Sequence, residues 1–159
     1  MTQPADGHRA IRSLGNRVTL NILLLFLAGC AEPFIVMAGG ALTGTVMDPP
    51  PDWSEFNTID IVQLETSPSE PYSVNIWMAT IGSDIYVATG DDDTAWTVNI
   101  AEDRDVRLRI GTRIYELEAR QIFDDRERRA VVAEYVPKYG LDADDNWVMD
   151  GQVFRLDRR

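Results

Sequence analysis

The 159-residue chain carries 15 Lys and Arg against 26 Asp and Glu, a formal net charge of −11, with a single Cys and a single His. Such an acidic balance repels nucleic acid and anionic lipid headgroups, so no nucleic-acid partner is expected. The histidine is His8 and the cysteine is Cys30. Beyond residue 30 the chain therefore lacks a Ser-His-Asp or Cys-His catalytic unit, the usual nitrogen–sulfur zinc sites and a His-ligated haem.

Arg9, Arg12 and Arg17 precede an apolar run from Val18 to Leu27, which stops at Ala28-Gly29-Cys30. A positive segment, a short apolar segment and a small-residue cut site make a secretory signal, and the run is too short to span a bilayer. Leu27-Ala28-Gly29-Cys30 resembles a bacterial lipobox, in which the thiol takes the lipid and small side chains fit the peptidase groove. Residues 1–29 are thus expected to be a lipoprotein signal peptide, with lipidation at Cys30. Residues 30–52 are expected to be the lipidated N-terminus, tether and first strand, and residues 53–159 the folded domain. The domain would sit on the extracytoplasmic face of a bacterial envelope membrane, held by the lipid anchor. The expected mature chain has 130 residues, 159 less 29, enough for one domain with a real core. Its one cysteine goes to the lipid, which leaves no disulfide. Its charge is divided: Cys30 to Asp103 holds thirteen Asp and Glu and no Lys or Arg, whereas Arg104 to Arg159 holds twelve of each sign.

Ala31 to Gly44 is apolar and glycine-bearing, and a first short strand is expected near Ala41–Val46. Asp48-Pro49-Pro50-Pro51-Asp52 is a stiff, extended break. Ile59 to Thr66 alternates loosely as a strand, and Thr66 to Pro71 reads as a turn. Tyr72 to Ala79 alternates with Tyr72, Val74, Ile76 and Met78 on one face, and Gly82-Ser83 turns it into a strand over Ile85–Thr89. Trp96 and Ile100, four apart, place one or two helical turns between Thr94 and Ala101. Val106, Leu108 and Ile110 form a period-two strand that Gly111-Thr112 joins to Ile114–Ile122. Asp124-x-x-Glu127 reads as a capping box for a helix from Asp125 to about Lys138, ended by Tyr139-Gly140. Asp150-Gly151 is expected to join Trp147–Met149 to Val153–Leu156 as a last hairpin. Six or seven closely spaced antiparallel strands with one or two helices predict a mainly β protein built as a small barrel.

The order of elements from Ile59 to Leu156 resembles the FMN-binding split-barrel superfamily, which includes pyridoxamine 5'-phosphate oxidase-like and deazaflavin-dependent nitroreductase-like proteins. Ser73-Val74-Asn75-Ile76-Trp77 is similar to the strand that runs along the flavin, and Ile85 to Gly90 to the next strand and its turn. Trp96-x-x-Asn99-Ile100 resembles the W-x-x-N-L helix, and Asp124 to Gly140 the late Asp-x-x-Glu-Arg helix. The resemblance implies FMN or a deazaflavin bound between two barrels of a homodimer, and hydride chemistry carried by that cofactor. Ser73, Asn75, Trp77, Thr89, Trp96 and Asn99 fall at the cofactor positions. The sequence departs where the family places phosphate-binding cations: Glu65 to Pro71 and Asp91-Asp92-Asp93 are acidic or neutral, and Asp103-Arg104 stands in place of Asn-Pro.

Each candidate has a plainer reading. Ser73 and Asn75 suit solvent-facing strand positions, Trp96 suits the core, and Trp53, Trp77 and Trp147 suit core or interface anchors. Arg107, Arg109 and Arg113 alternate with apolar residues, as on the wet face of a strand. Asp142, Asp144 and Asn146 match three calcium-loop positions, but Trp147 replaces the turn glycine and Val153 the bidentate Glu, so no metal site is expected. Two functions follow: a flavin- or deazaflavin-dependent oxidoreductase, or a cofactor-free binding or structural lipoprotein that keeps only the fold.

Overall fold

The computed structural model describes residues 39–90, 93–142, 144 and 147–159. The expected signal segment and Cys30 lie outside the described residues, as do Asp91, Asp92 and Asn146. The strands are β1 (Thr45–Met47), β2 (Ile61–Thr66), β3 (Tyr72–Ile81), β4 (Asp84–Ala88), β5 (Asp105–Ile110), β6 (Arg113–Gln121) and β7 (Val153–Arg158). The helices are α1 (Ala95–Glu102), α2 (Asp125–Tyr139) and the single-turn α3 (Trp147–Asp150).

Six strands close an antiparallel barrel in the order β6-β5-β2-β3-β4-β7, with β7 returning to β6. The turns at Gly82 and Gly111 take φ of 57° and 61°, which glycine adopts without steric cost. β1 lies outside the ring and pairs parallel to β6, Thr45–Met47 against Arg113–Tyr115. It occupies the edge of β6 that β7 leaves free, because β7 pairs only with Leu117–Gln121.

Side chains alternate between two cores. Leu64, Val74, Met78, Ile85, Val87, Leu108, Leu117 and Phe154 fill the barrel. Ala79, Tyr86, Ala88 and Val153, from the intervening positions, pack outside it against Val131 and Tyr135 of α2 and Val148 of α3. Both faces of β4 are therefore buried, which is why Ile85 to Ala88 reads as a continuous apolar run.

α2 begins where Asp124 accepts the Glu127 N–H at 2.8 Å and ends at Gly140, whose φ of 62° forms the left-handed cap. Only half of the expected capping box forms there. The Glu127 carboxylate instead accepts from Tyr86 Oη at 3.0 Å and from Arg155 at 2.7 Å. The complete box closes α1, between Thr94 and Thr97.

The last hairpin expected from the sequence is absent. Trp147–Asp150 forms α3 because β7 has both its edges taken, by β4 and β6. The buried Arg128 guanidinium gathers the carbonyls of Ile122 at 3.2 Å, Val148 at 3.1 Å and Gly151 at 2.7 Å, together with that of Met149. A Cβ on Gly151 would overlap the backbone of Thr89 and Gly90, so glycine is required at this crossing. Arg128→Leu removes the donors and leaves these carbonyls unpaired in a dry place. It is expected to cost on the order of 3 kcal/mol in chemical denaturation, and a loss below about 1 kcal/mol would show that the arginine is not the staple.

Candidate functional site

β3 is ten residues long and shared between two partners. Tyr72–Trp77 pairs with β2, and Met78–Ile81 pairs with β4 on the opposite edge. At Ser73 the free edge is covered by Gly39, whose N–H and C=O exchange hydrogen bonds with Ser73 at 2.7 and 2.9 Å. By the two-residue alternation of a strand, Asn75 turns its backbone polar groups to the same edge. Beyond Asn75, the Trp77 carbonyl accepts from Tyr135 Oη at 3.0 Å. Past the end of β2, the Met78 carbonyl accepts from Lys138 Nζ at 3.0 Å and the Met78 N–H donates to Tyr139 Oη at 3.0 Å. Lys138 also holds the Ile59 carbonyl at 2.7 Å.

Where β3 and β4 part, a cavity of about 330 Å³ opens. Tyr72 to Trp77, without Ser73, line one wall. Ala88, Thr89 and Gly90 follow from the end of β4, Thr94 and Trp96 from the start of α1, and Trp147 from α3. Trp77 stacks on Tyr139 with ring centroids 4.2 Å apart and planes 10° apart, and lies 6.1 Å from Trp147. Trp96 meets Phe154 edge-on at 5.3 Å. These contacts fix the three indoles that face the space. Asn75, Thr89 and Thr94 line it alongside Tyr72 and three tryptophans, and among the described residues no Lys or Arg does. Thr94 is already engaged, its N–H on Thr97 Oγ1 at 2.9 Å and its hydroxyl with the Thr97 N–H at 3.4 Å.

Of the six residues chosen from sequence, the cavity brings together Asn75, Trp77, Thr89 and Trp96. Ser73 is buried beside Gly39, and Asn99 donates its amide to Thr66 Oγ1 at 3.0 Å. Tyr72, Thr94 and Trp147 join them. Nothing in the sequence linked Trp147 to Trp77, because the loop before it carries no spacing signal and α3 delivers it. Trp53 is core, 1% exposed and edge-on to Tyr115.

The arginines of β5 are more than a wet face. Glu65 is 1% exposed and takes two bonds from Arg107, at 2.9 and 3.1 Å, as well as the Leu42 N–H. Arg109 binds Gln63 and the Thr43 carbonyl, and Arg113 lies over the Phe56 ring at 5.9 Å. The cross-strand pairs Glu65–Arg107 and Gln63–Arg109 follow from the β2–β5 register, which opposite charges alone do not reveal.

No family model and no curated protein matches the chain. Several solved structures do resemble it. A candidate pyridoxamine 5'-phosphate oxidase from Listeria innocua is 14% identical with a TM-score of 0.52, over 65% of this chain and 86% of that one. A conserved hypothetical protein from Mycobacterium tuberculosis is 19% identical with a TM-score of 0.53, over 74% and 86%. A third, described as a domain-swapped dimer, is 14% identical with a TM-score of 0.51, over 62% and 81%. The chain has the split-barrel fold. In this split barrel the cavity lies at the split itself.

A cavity of this volume is at the lower end of the range for small-molecule sites, and its aromatic walls suit the face of a flat ring. They do not suit a phosphate, since among the described residues no cation lines the cavity. Burial pushes the Tyr139 hydroxyl up to about 12, with Asp60 adding to the shift and the Met78 hydrogen bond opposing it. Burial also raises Tyr135 and lowers Lys138, the latter opposed by Asp60 and Glu134. Because the folded value of Tyr139 exceeds the ordinary 10.0, its contribution is whole below pH 10 and fades as pH approaches 12. Wild type should therefore lose about 1–2 kcal/mol more stability than Tyr139→Phe across that interval, after allowing for solvent screening. Parallel pH–stability slopes in the two proteins would rule this out.

Proposed function

We propose that this protein is a lipid-anchored envelope protein whose split barrel, as a homodimer, binds the ring of a flavin or deazaflavin and acts as an oxidoreductase. The observation that carries the reading is the cavity at the β3–β4 split, walled by Trp77, Trp96 and Trp147. When bound, such a cofactor supplies hydride transfer, which no amino-acid side chain provides. The chain's own part is to hold the ring. The indoles provide flat apolar faces, and Asn75 and Thr89 provide hydrogen-bonding groups at the wall. The fold shared with a candidate pyridoxamine 5'-phosphate oxidase supports a redox role, and a similar chain described as a domain-swapped dimer supports pairing of barrels. Anchoring rests on the Leu27-Ala28-Gly29-Cys30 motif.

One observation favours the second reading, a cofactor-free binding lipoprotein: among the described residues no cation reaches the cavity. The two readings separate in a titration. Full-length protein in detergent should quench riboflavin fluorescence, and Trp147→Ala should weaken that binding by about tenfold through loss of ring stacking, worth about 0.5–1.5 kcal/mol plus buried area. If no flavin or deazaflavin binds at hundreds of micromolar, the oxidoreductase reading fails and the cofactor-free one stands.

For the anchor, Cys30→Ser should leave an unprocessed precursor that incorporates no labelled fatty acid. Processing and membrane attachment unchanged in Cys30→Ser would contradict it.

A further inference from the structure

We infer that the cavity selects a flat aromatic ring that bears no phosphate, and prefers a neutral or cationic ring to an anionic one. This rests on the flavin-ring reading above and narrows it to the unphosphorylated form.

Among the described residues no Lys or Arg lines the cavity, and five basic side chains are committed elsewhere. Arg107 is held by buried Glu65, and Arg109 by Gln63 and the Thr43 carbonyl. Arg128 is buried among backbone carbonyls, and Arg155 is shared between Glu127 and Asp157. Lys138 is spent on the Ile59 and Met78 carbonyls. To move any of these to the cavity would break a formed bond and, for Arg107, strand a buried carboxylate.

Uncharged phosphate holders are scarce as well. At the start of α1 the Thr94 and Thr97 N–H groups are taken by their own capping box. Asp93, next to Thr94 in the chain, is a carboxylate held to Gln152 at 2.5 Å. The whole chain has a net charge of −11, so the field around the site also disfavours an anion. What the wall offers is aromatic: Tyr72, Trp77, Trp96 and Trp147. Such faces attract flat rings, and the negative face of an indole attracts cations.

The test uses three tricyclic ligands of similar shape and different charge, titrated against full-length protein in detergent at low and high salt. They are FMN as the anion, riboflavin as the neutral ring and proflavine as the cation. Riboflavin should bind at least as tightly as FMN at low salt. Raising salt from about 20 to about 300 mM should tighten FMN roughly threefold, weaken proflavine and leave riboflavin unchanged, because screening acts only on charged ligands. Riboflavin should displace proflavine, and Trp147→Ala should weaken both together. FMN bound more tightly than riboflavin at low salt would overturn the inference and leave the flavin reading intact. Proflavine that riboflavin cannot displace would overturn the assignment to this cavity. If none of the three binds at hundreds of micromolar, the flavin reading itself fails and takes the inference with it.

Discussion

A β-strand has two edges, and β3 cannot fill both along its whole length. It spends one edge on β2 over its first six residues and the other on β4 over its last four. Buried backbone groups must be paired, so every remaining N–H and C=O needs a partner from elsewhere. Gly39 serves Ser73, Tyr135 serves Trp77, and Tyr139 with Lys138 serves Met78. The cavity is the place along β3 where no strand takes over. The position of α2 follows from the same constraint, since three of its side chains complete the strand's bonding.

The N-terminal strap depends on a second accounting. Gly39 to Met47 reaches β3, β2, β5 and β6 in turn, by the Gly39–Ser73 bridge, the Leu42–Glu65 bond, the Thr43–Arg109 bond and β1 itself. Glu65 is central because a buried carboxylate is tolerated only when paired and hydrogen-bonded, and Arg107 and Leu42 together meet that need. The more exposed pairs, such as Arg104–Glu118 at 2.9 Å, contribute little by comparison. The division of charge along the chain thereby acquires a structural meaning. Cations of the second half reach back to carboxylates and carbonyls of the first half, and among the described residues none lines the aromatic cavity.

Local sequence determined a good deal. Alternating apolar residues fixed β3, β5 and β6, because a strand with one face in a core must repeat every two residues. Gly82, Gly111 and Gly140 marked their turns and cap, because each needs a positive φ that other residues resist. Asp124 marked the start of α2, and the ordered series of elements predicted a small barrel and carried the resemblance that implied a split one. Four of the cavity's residues, on β3, at the end of β4 and on α1, were legible only through the resemblance to the split-barrel family, which marks those positions. Tertiary structure decided the rest. Trp147–Asp150 became a helix because the edges of β7 were already taken and Arg128 collects the carbonyls of that turn. Glu127 turned from its cap to Tyr86 and Arg155, and Glu65, near the end of the predicted strand, meets Arg107 inside. Each of these outcomes depends on partners 20 to 42 residues away, and such pairings are settled by register and closure of the barrel, which no local pattern encodes.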